Sequence, residues 1–282
     1  MQELKGMPVV NMLNENFLTQ TGILKTKGIT PRLAAVRIGE RDDDISYEKG
    51  IIKRFSAVNA EVKITVLPAD VSQNELEETI TSLNHDKTVH GILLFRPLPK
   101  HLSLEPITFI ISKDKDVDCM GIVNTANVFA GNKKGYAPCT PQGVIEMLDY
   151  YGIDVSGKKA VIVGRSLVAG KPLAMLLLDK NATVTICHTK TLNLANECKT
   201  ADILISCAGV AKMITSDFTN PDQTVIDVGI NMLDGKLCGD VDFDDVKDKV
   251  KAVTPVPGGV GTVTTSVLLK HTINSALKNI DL

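Results

Sequence analysis

The stretch AVIVGRSLVAGKPLAMLL, residues 160–177, sets an apolar run, a turn bounded by Gly164 and Gly170, and a helix start in succession. That order aims backbone N–H groups and the positive end of a helix dipole at an anion, commonly a pyrophosphate. Pro172 suits the helix start, where a missing N–H costs nothing. The spacing departs from the dinucleotide fingerprint, because the two glycines stand six apart with Arg165 and Ser166 where a second glycine is expected. At the end of the next strand, ICHTKT has no acid, whereas an NAD site places Asp or Glu there to hold the ribose 2′-hydroxyl. An acid would repel a 2′-phosphate, while Arg165 offers it a charged fork and Thr189 a hydroxyl, so the expected cofactor is NADP. The competing reading is a tight crossover with a solvated Arg165. His188 reads as a hydrogen-bonded strand-end residue and is assigned no chemistry.

Short apolar runs alternating with amphipathic stretches must position that turn, and they read as α/β with parallel sheets. In the first half, strands are expected at RLAAVRIG, EVKITVLP and VHGILLFRP, with helices near 46–59 and 72–84. Ser72 and Glu75 form a capping box that starts the second helix. Strands recur at KAVIVG, ATVTICH, DILISCAG and TVIDVGI, the pattern of a nucleotide-binding unit. Between the halves, GNKKGYAPCTPQG crowds Gly and Pro and loses periodicity, as a domain junction does. One amphipathic helix follows TPVPGGVGTVTTSVLL to the C-terminus.

At 282 residues the chain has material for two domains. A formal charge of −2 and no long basic block argue against nucleic-acid and membrane surfaces, leaving a small-molecule partner. The six cysteines lack C-x-x-C spacing and read as reduced thiols, and no metal is expected. The first residues lack a signal segment and no apolar run approaches the ~18 residues of a membrane span, so a soluble, cytoplasmic chain is expected.

Taken together, GRSLVAGKP, NATVTICHTKT, VIDVGIN, GDVDF and PVPGGVGTVT, with GILLFRPLPKH, KDVD and PCTPQG before them, resemble the methylenetetrahydrofolate dehydrogenase/cyclohydrolase family over nearly the whole chain. The resemblance implies an N-terminal α/β folate (catalytic) domain, residues 1–120 completed by a C-terminal helix at 262–282, and a Rossmann-like NADP-binding domain at 121–261. It implies a homodimer with folate in the cleft between the domains. Family members oxidise methylenetetrahydrofolate to the methenyl form with NADP and commonly hydrolyse that product to formyltetrahydrofolate. Carried over by motif, Gly164, Arg165, Ser166 and Thr189 hold the NADP phosphates and Ile230 touches the nicotinamide half. Pro257, Gly258, Gly259 and Gly261 form a loop beside both ligands. Tyr47 matches the aromatic flanking the folate ring, and Asp118 the carboxylate of the folate pocket. That assignment suits the chemistry, since a pterin presents ring N–H and amino donors to two carboxylate oxygens. On residue type alone, Tyr47 would be an ordinary core aromatic, Asp118 a loop cap, and Asp42, Asp43 and Asp44 a solvated loop.

Two departures fall on the water-activating group. The family follows its Tyr four residues later with a catalytic Lys, but SYEKGIIKRF puts Ile51 there. At ~100° per helical residue, Lys49 and Lys53 lie ~200° and ~240° around from Tyr47, whereas Ile51 lies ~40° away. The usual V-Q-L-P-L-P becomes LFRPLP, with Phe95 at the Gln and Arg96 at the Leu. Losing both polar partners together is nearly neutral for folding where losing one strands the other. The change of D-V-D-G-F-H-P-x-N to DVDCMGIVN also alters the substrate-side loop. The expected activity is an NADP-dependent methylenetetrahydrofolate dehydrogenase with weak or lost cyclohydrolase activity. The alternatives are a full bifunctional enzyme using another water-activating group and a noncatalytic folate- or nucleotide-binding relative. A shikimate or amino-acid dehydrogenase would place a Lys and Asp pair in its first domain, and none is read there.

Overall fold

A computed structural model describes residues 1–278 and divides the chain into two units. Residues 279–282, the end of the helix expected at 262–282, lie outside the described residues.

One unit comprises residues 12–139 and the C-terminal segment from 265. Its sheet has three parallel strands in the order Glu61–Leu67, Arg32–Ile38, Gly91–Leu94. The middle strand is covered on both faces, which is why its text is apolar almost throughout. The helix Gln73–His85 places Leu76, Ile80 and Leu83 on one face, and they share a core cluster with Ala34, Val36, Ile92 and Leu94. Its capping box is formed: the Glu75 N–H donates to Ser72 Oγ at 3.2 Å and the Ser72 N–H to Glu75 Oε2 at 3.0 Å.

The other helix runs over Asp42–Ser56, earlier than the expected 46–59. Asp42, Asp43 and Asp44 are its first turn rather than a solvated loop, since acids there complement the helix dipole, and Asp44 is buried. The helix Ile122–Phe129 also belongs here. Asn124 Nδ2 ties it down, donating to Lys113 O at 2.9 Å, Asp116 O at 3.1 Å and Asp116 Oδ2 at 3.0 Å. The chain accordingly changes unit at 139/140, inside the Gly- and Pro-rich junction GNKKGYAPCTPQG, whereas the resemblance implies a boundary at 120/121. From the last helix, Ser275 Oγ donates to Asp114 O at 2.8 Å and His271 Nδ1 lies 2.8 Å from Val117 O.

The other unit comprises residues 1–11 and 140–264. Its parallel sheet orders Gln2–Glu3, Ala252–Val253, Thr224–Asp227, Ile203–Ser206, Lys159–Val163, Thr183–Cys187. From Lys159–Val163 the chain moves to the strand on one flank and then returns to Ile203–Ser206 on the other. Such a reversal opens a crevice at the carboxyl ends of the two diverging strands, where open α/β sheets bind ligands.

A hairpin that the sequence reading did not separate pairs Asn231–Leu233 with Lys236–Cys238. Its turn residues Asp234 and Gly235 both have positive φ, 50° and 72°, so the Asp-Gly dipeptide was a hairpin signal in plain text. The six cysteines are unpaired thiols. Among the described residues, no helix is long and apolar enough to cross a membrane.

Candidate active site

The glycine turn sits at the switch point. Gly164 follows the strand Lys159–Val163 and donates its N–H to Cys187 O at 2.9 Å. Its φ of +130° suits glycine alone, and a Cβ there would strike the Cys207 carbonyl at the end of the neighbouring strand. A Cβ on Gly170 would strike the Gly164 carbonyl, so both glycines are required by close approach of backbone to backbone.

The helix Gly170–Asp179 starts directly after this turn. Ser166 Oγ accepts the Ala169 N–H at 3.1 Å, while Lys171 N–H reaches Ser166 O at 3.1 Å. Arg165 is exposed, and among the described residues its guanidinium makes no ion pair or hydrogen bond. Thr189 is exposed just past the strand Thr183–Cys187. His188 shapes that turn, taking the Lys190 N–H on Nδ1 at 3.1 Å and giving its own N–H to Thr191 Oγ1 at 2.8 Å. A closed glycine turn, a helix N-terminus and an unengaged guanidinium together fit a phosphate-bearing ligand.

In the same unit, Ile230 is 65% exposed at a cleft of about 230 Å³ that Pro257, Gly258, Gly259, Gly261 and Thr262 also line. Two buried carboxylates shape the loops around it. Asp240 Oδ2 accepts Ser206 Oγ–H at 3.0 Å and the N–H groups of Ala208 at 2.7 Å and Gly209 at 3.1 Å. Its Oδ1 takes Val210 N–H at 3.0 Å and Asn231 Nδ2 at 2.9 Å, so one side chain fixes the loop 208–210 and the hairpin base.

Asp227 takes N–H groups from Gly229, Asp240 and Val241 at 2.9, 3.0 and 2.9 Å. Burial outweighs those bonds and pushes its carboxyl up to about 6. A raised folded value means that its contribution to stability is full below about pH 4, the unfolded value, and is lost as pH rises through about 6. That difference between the folded and unfolded carboxyl corresponds to about 3 kcal/mol. Asp227→Asn is expected to remove that part of the stability decline between pH 4 and 6, which denaturant unfolding at a series of pH values measures.

The other unit brings together the remaining predicted residues. Tyr47 lies on the helix Asp42–Ser56, 38% exposed, with its ring 5.8 Å from that of Phe95 at an interplanar angle of 70°. Desolvation of its hydroxyl, with Cys139 and Asp118 nearby, raises the phenol above its ordinary range and keeps it protonated. Ile51, one turn on, is fully buried, and Phe95 is 7% exposed. Lys49 and Lys53 point to solvent, as the helical angles require.

Within KDVD each polar residue has a different task. Lys115 Nζ donates to the carbonyls of Leu83, Asn84 and Asp86 at 3.0, 2.7 and 2.7 Å, closing the end of the helix Gln73–His85. Asp116 is fully buried and takes the N–H groups of Met120 at 2.8 Å and Gly121 at 2.9 Å. Asp118 stays partly exposed, accepting the Cys139 N–H on Oδ1 at 3.1 Å and the Arg96 guanidinium on Oδ2 at 2.9 Å. In the sequence Arg96 stands out only as a departure from the family pattern, and the structural tasks of Asp116, Asp227 and Asp240 carry no motif of their own. Acids set directly beside apolar strand residues, as in VIDV and CGDV, were the available signal.

Two family models divide the chain near the same junction, although residues 4–11 and those from 265 on are matched by the model opposite to the unit that holds them. Residues 4–118 match the family model "Tetrahydrofolate dehydrogenase/cyclohydrolase, catalytic domain" and residues 138–280 its "NAD(P)-binding domain". The "Bifunctional protein FolD" of Clostridium botulinum (strain 657 / Type Ba4) is 49% identical over 277 residues, 98% of each chain. The bifunctional FolD methylenetetrahydrofolate dehydrogenase/cyclohydrolase structure from Campylobacter jejuni superposes with a TM-score of 0.97 at 39% identity, covering 99% of both chains. The Trypanosoma brucei enzyme, solved with NADP cofactor and an inhibitor, gives 0.93 at 32% identity over 99% of this chain and 98% of that one.

Proposed function

Because the chain belongs to the tetrahydrofolate dehydrogenase/cyclohydrolase family, we propose that it oxidises methylenetetrahydrofolate to methenyltetrahydrofolate with NADP. The single observation that carries the cofactor choice is the unengaged Arg165 beside a closed glycine turn, with no acid in ICHTKT. Bound there, NADP would supply the acceptor for a hydride from the one-carbon bridge. The protein's part is positioning: Gly164, Arg165, Ser166 and Thr189 hold the phosphates, and Ile230 with Pro257, Gly258, Gly259 and Gly261 lines the nicotinamide and folate side. Tyr47 flanks the pterin ring, and Asp118 accepts its paired N–H donors. A homodimer is part of this reading, and sedimentation of the purified chain tests it.

For the second step, the relatives favour a two-activity enzyme, since the Clostridium and Campylobacter proteins are named bifunctional. The side chains supply a restraint on that reading: Ile51 and Phe95 are buried and apolar at the positions where the resemblance places the water-activating Lys and its partner Gln. The proposal that reconciles both is a dehydrogenase with a slow hydrolytic step. A two-wavelength assay separating methenyl formation from its hydrolysis tests it, and rapid turnover of both would install the full bifunctional reading.

Arg165→Ala is expected to raise KM for NADP about ten- to a hundredfold with little change for NAD, the worth of one charge-assisted contact. Equal use of both cofactors by the unaltered enzyme would remove the basis for this assignment.

A further inference from the structure

We infer that Arg96 is a specificity-determining residue that reads the 4-oxo group of the pterin, an inference that rests on the folate reading above. The guanidinium is held at Asp118 Oδ2 at 2.9 Å, and the carboxylate's other oxygen takes the Cys139 N–H at 3.1 Å. The two side chains are 26% and 21% exposed, so the pair is set into the protein yet open on one side. Among the described residues Arg96 spends one donor on Asp118 and makes no other hydrogen bond. A guanidinium has five N–H donors in a planar fork, so donors remain beside the carboxylate.

The pair therefore presents acceptor and donor side by side. The hydrogen-bonding edge of a 2-amino-4-oxo pterin is complementary: the 2-amino group and N3–H donate, and the neighbouring O4 accepts. With Asp118 taking the two donors, the group adjoining N3 faces the side where Arg96 waits. A 4-amino group there would meet a donor with a donor, which a site built of paired polar groups rejects. The apolar surroundings, with Phe95 buried next in sequence and the Tyr47 ring against it, strengthen such a contact by excluding water.

The test is equilibrium binding of tetrahydrofolate and its 4-amino-4-deoxy counterpart to the full chain with Arg96 unaltered, as Arg96→Leu and as Arg96→Lys. Leu is the residue that the family resemblance places at this position, so that variant keeps the pocket foldable. Arg96→Leu is expected to weaken tetrahydrofolate roughly ten- to a hundredfold and the 4-amino compound much less, narrowing the ratio between them to the part set at Asp118, since a 4-amino ring also lacks the N3–H. Arg96→Lys should recover part of the ratio, since it restores a charge without the fork. Equal weakening of both ligands would reduce Arg96 to orienting Asp118 and overturn the inference, as would unchanged binding. Failure of the unaltered chain to bind either ligand would instead overturn the folate reading itself.

Discussion

Incubated with methenyltetrahydrofolate in a buffer that catalyses little hydrolysis, the unaltered chain is expected to stay within a few-fold of the enzyme-free rate, and Ile51→Lys with Phe95→Gln to gain about 10² to 10⁴. The two steps make different demands on the same wall. Hydride transfer needs alignment and tolerates an apolar surface, which also keeps water out. Hydrolysis needs a group to move a proton from water, and Ile51 and Phe95 have none to offer. Both positions must change together, because Ile51 is fully buried and a lone ammonium there would be desolvated without a partner. Ile51→Lys alone should then lower stability with little gain in rate. Dehydrogenation is expected to persist in every variant that folds. Hydrolysis by the unaltered chain at a rate far above the control would show that another residue activates water.

Asp118→Ala is expected to cost roughly 10² to 10⁴ in kcat/KM for dehydrogenation, through loss of folate binding rather than of NADP binding. Two charge-assisted hydrogen bonds of about 1.5 to 3 kcal/mol each account for that range. The substitution also strips Arg96 of its only hydrogen-bond partner among the described residues, adding an uncompensated cation to the pocket. Asp118→Asn separates the two effects, since it keeps the shape while presenting a donor to one of the pterin's donors. NADP affinity measured in the same variants serves as the control, and unchanged folate kinetics would return Asp118 to the role of a loop cap.

Sequence patterning was most legible where local rules act alone. The capping box at Ser72 and Glu75 formed because both partners lie within one helical turn. The central parallel strands were readable because strands covered on both faces are apolar almost throughout. Boundaries were less legible: the helix Asp42–Ser56 begins on three acids whose polarity imitates a loop, though the helix dipole favours them there.

By itself, then, the sequence determined the α/β class, the glycine turn with its arginine, the lack of an acid in ICHTKT and the apolar residue types at positions 51 and 95, because each is a property of residue type at short spacing. Tertiary structure decided which of two acids in KDVD is available. Asp116 and Asp118 are alike in text, yet backbone N–H groups and Asn124 enclose the first, while the second is left partly open beside Arg96. It also decided that Asp240 gathers Ala208, Gly209 and Val210, groups 30 to 32 residues away along the chain. Long-range pairing of this kind has no period and no local propensity. A buried carboxylate finds its donors only when the sheet has already brought the strand ends together.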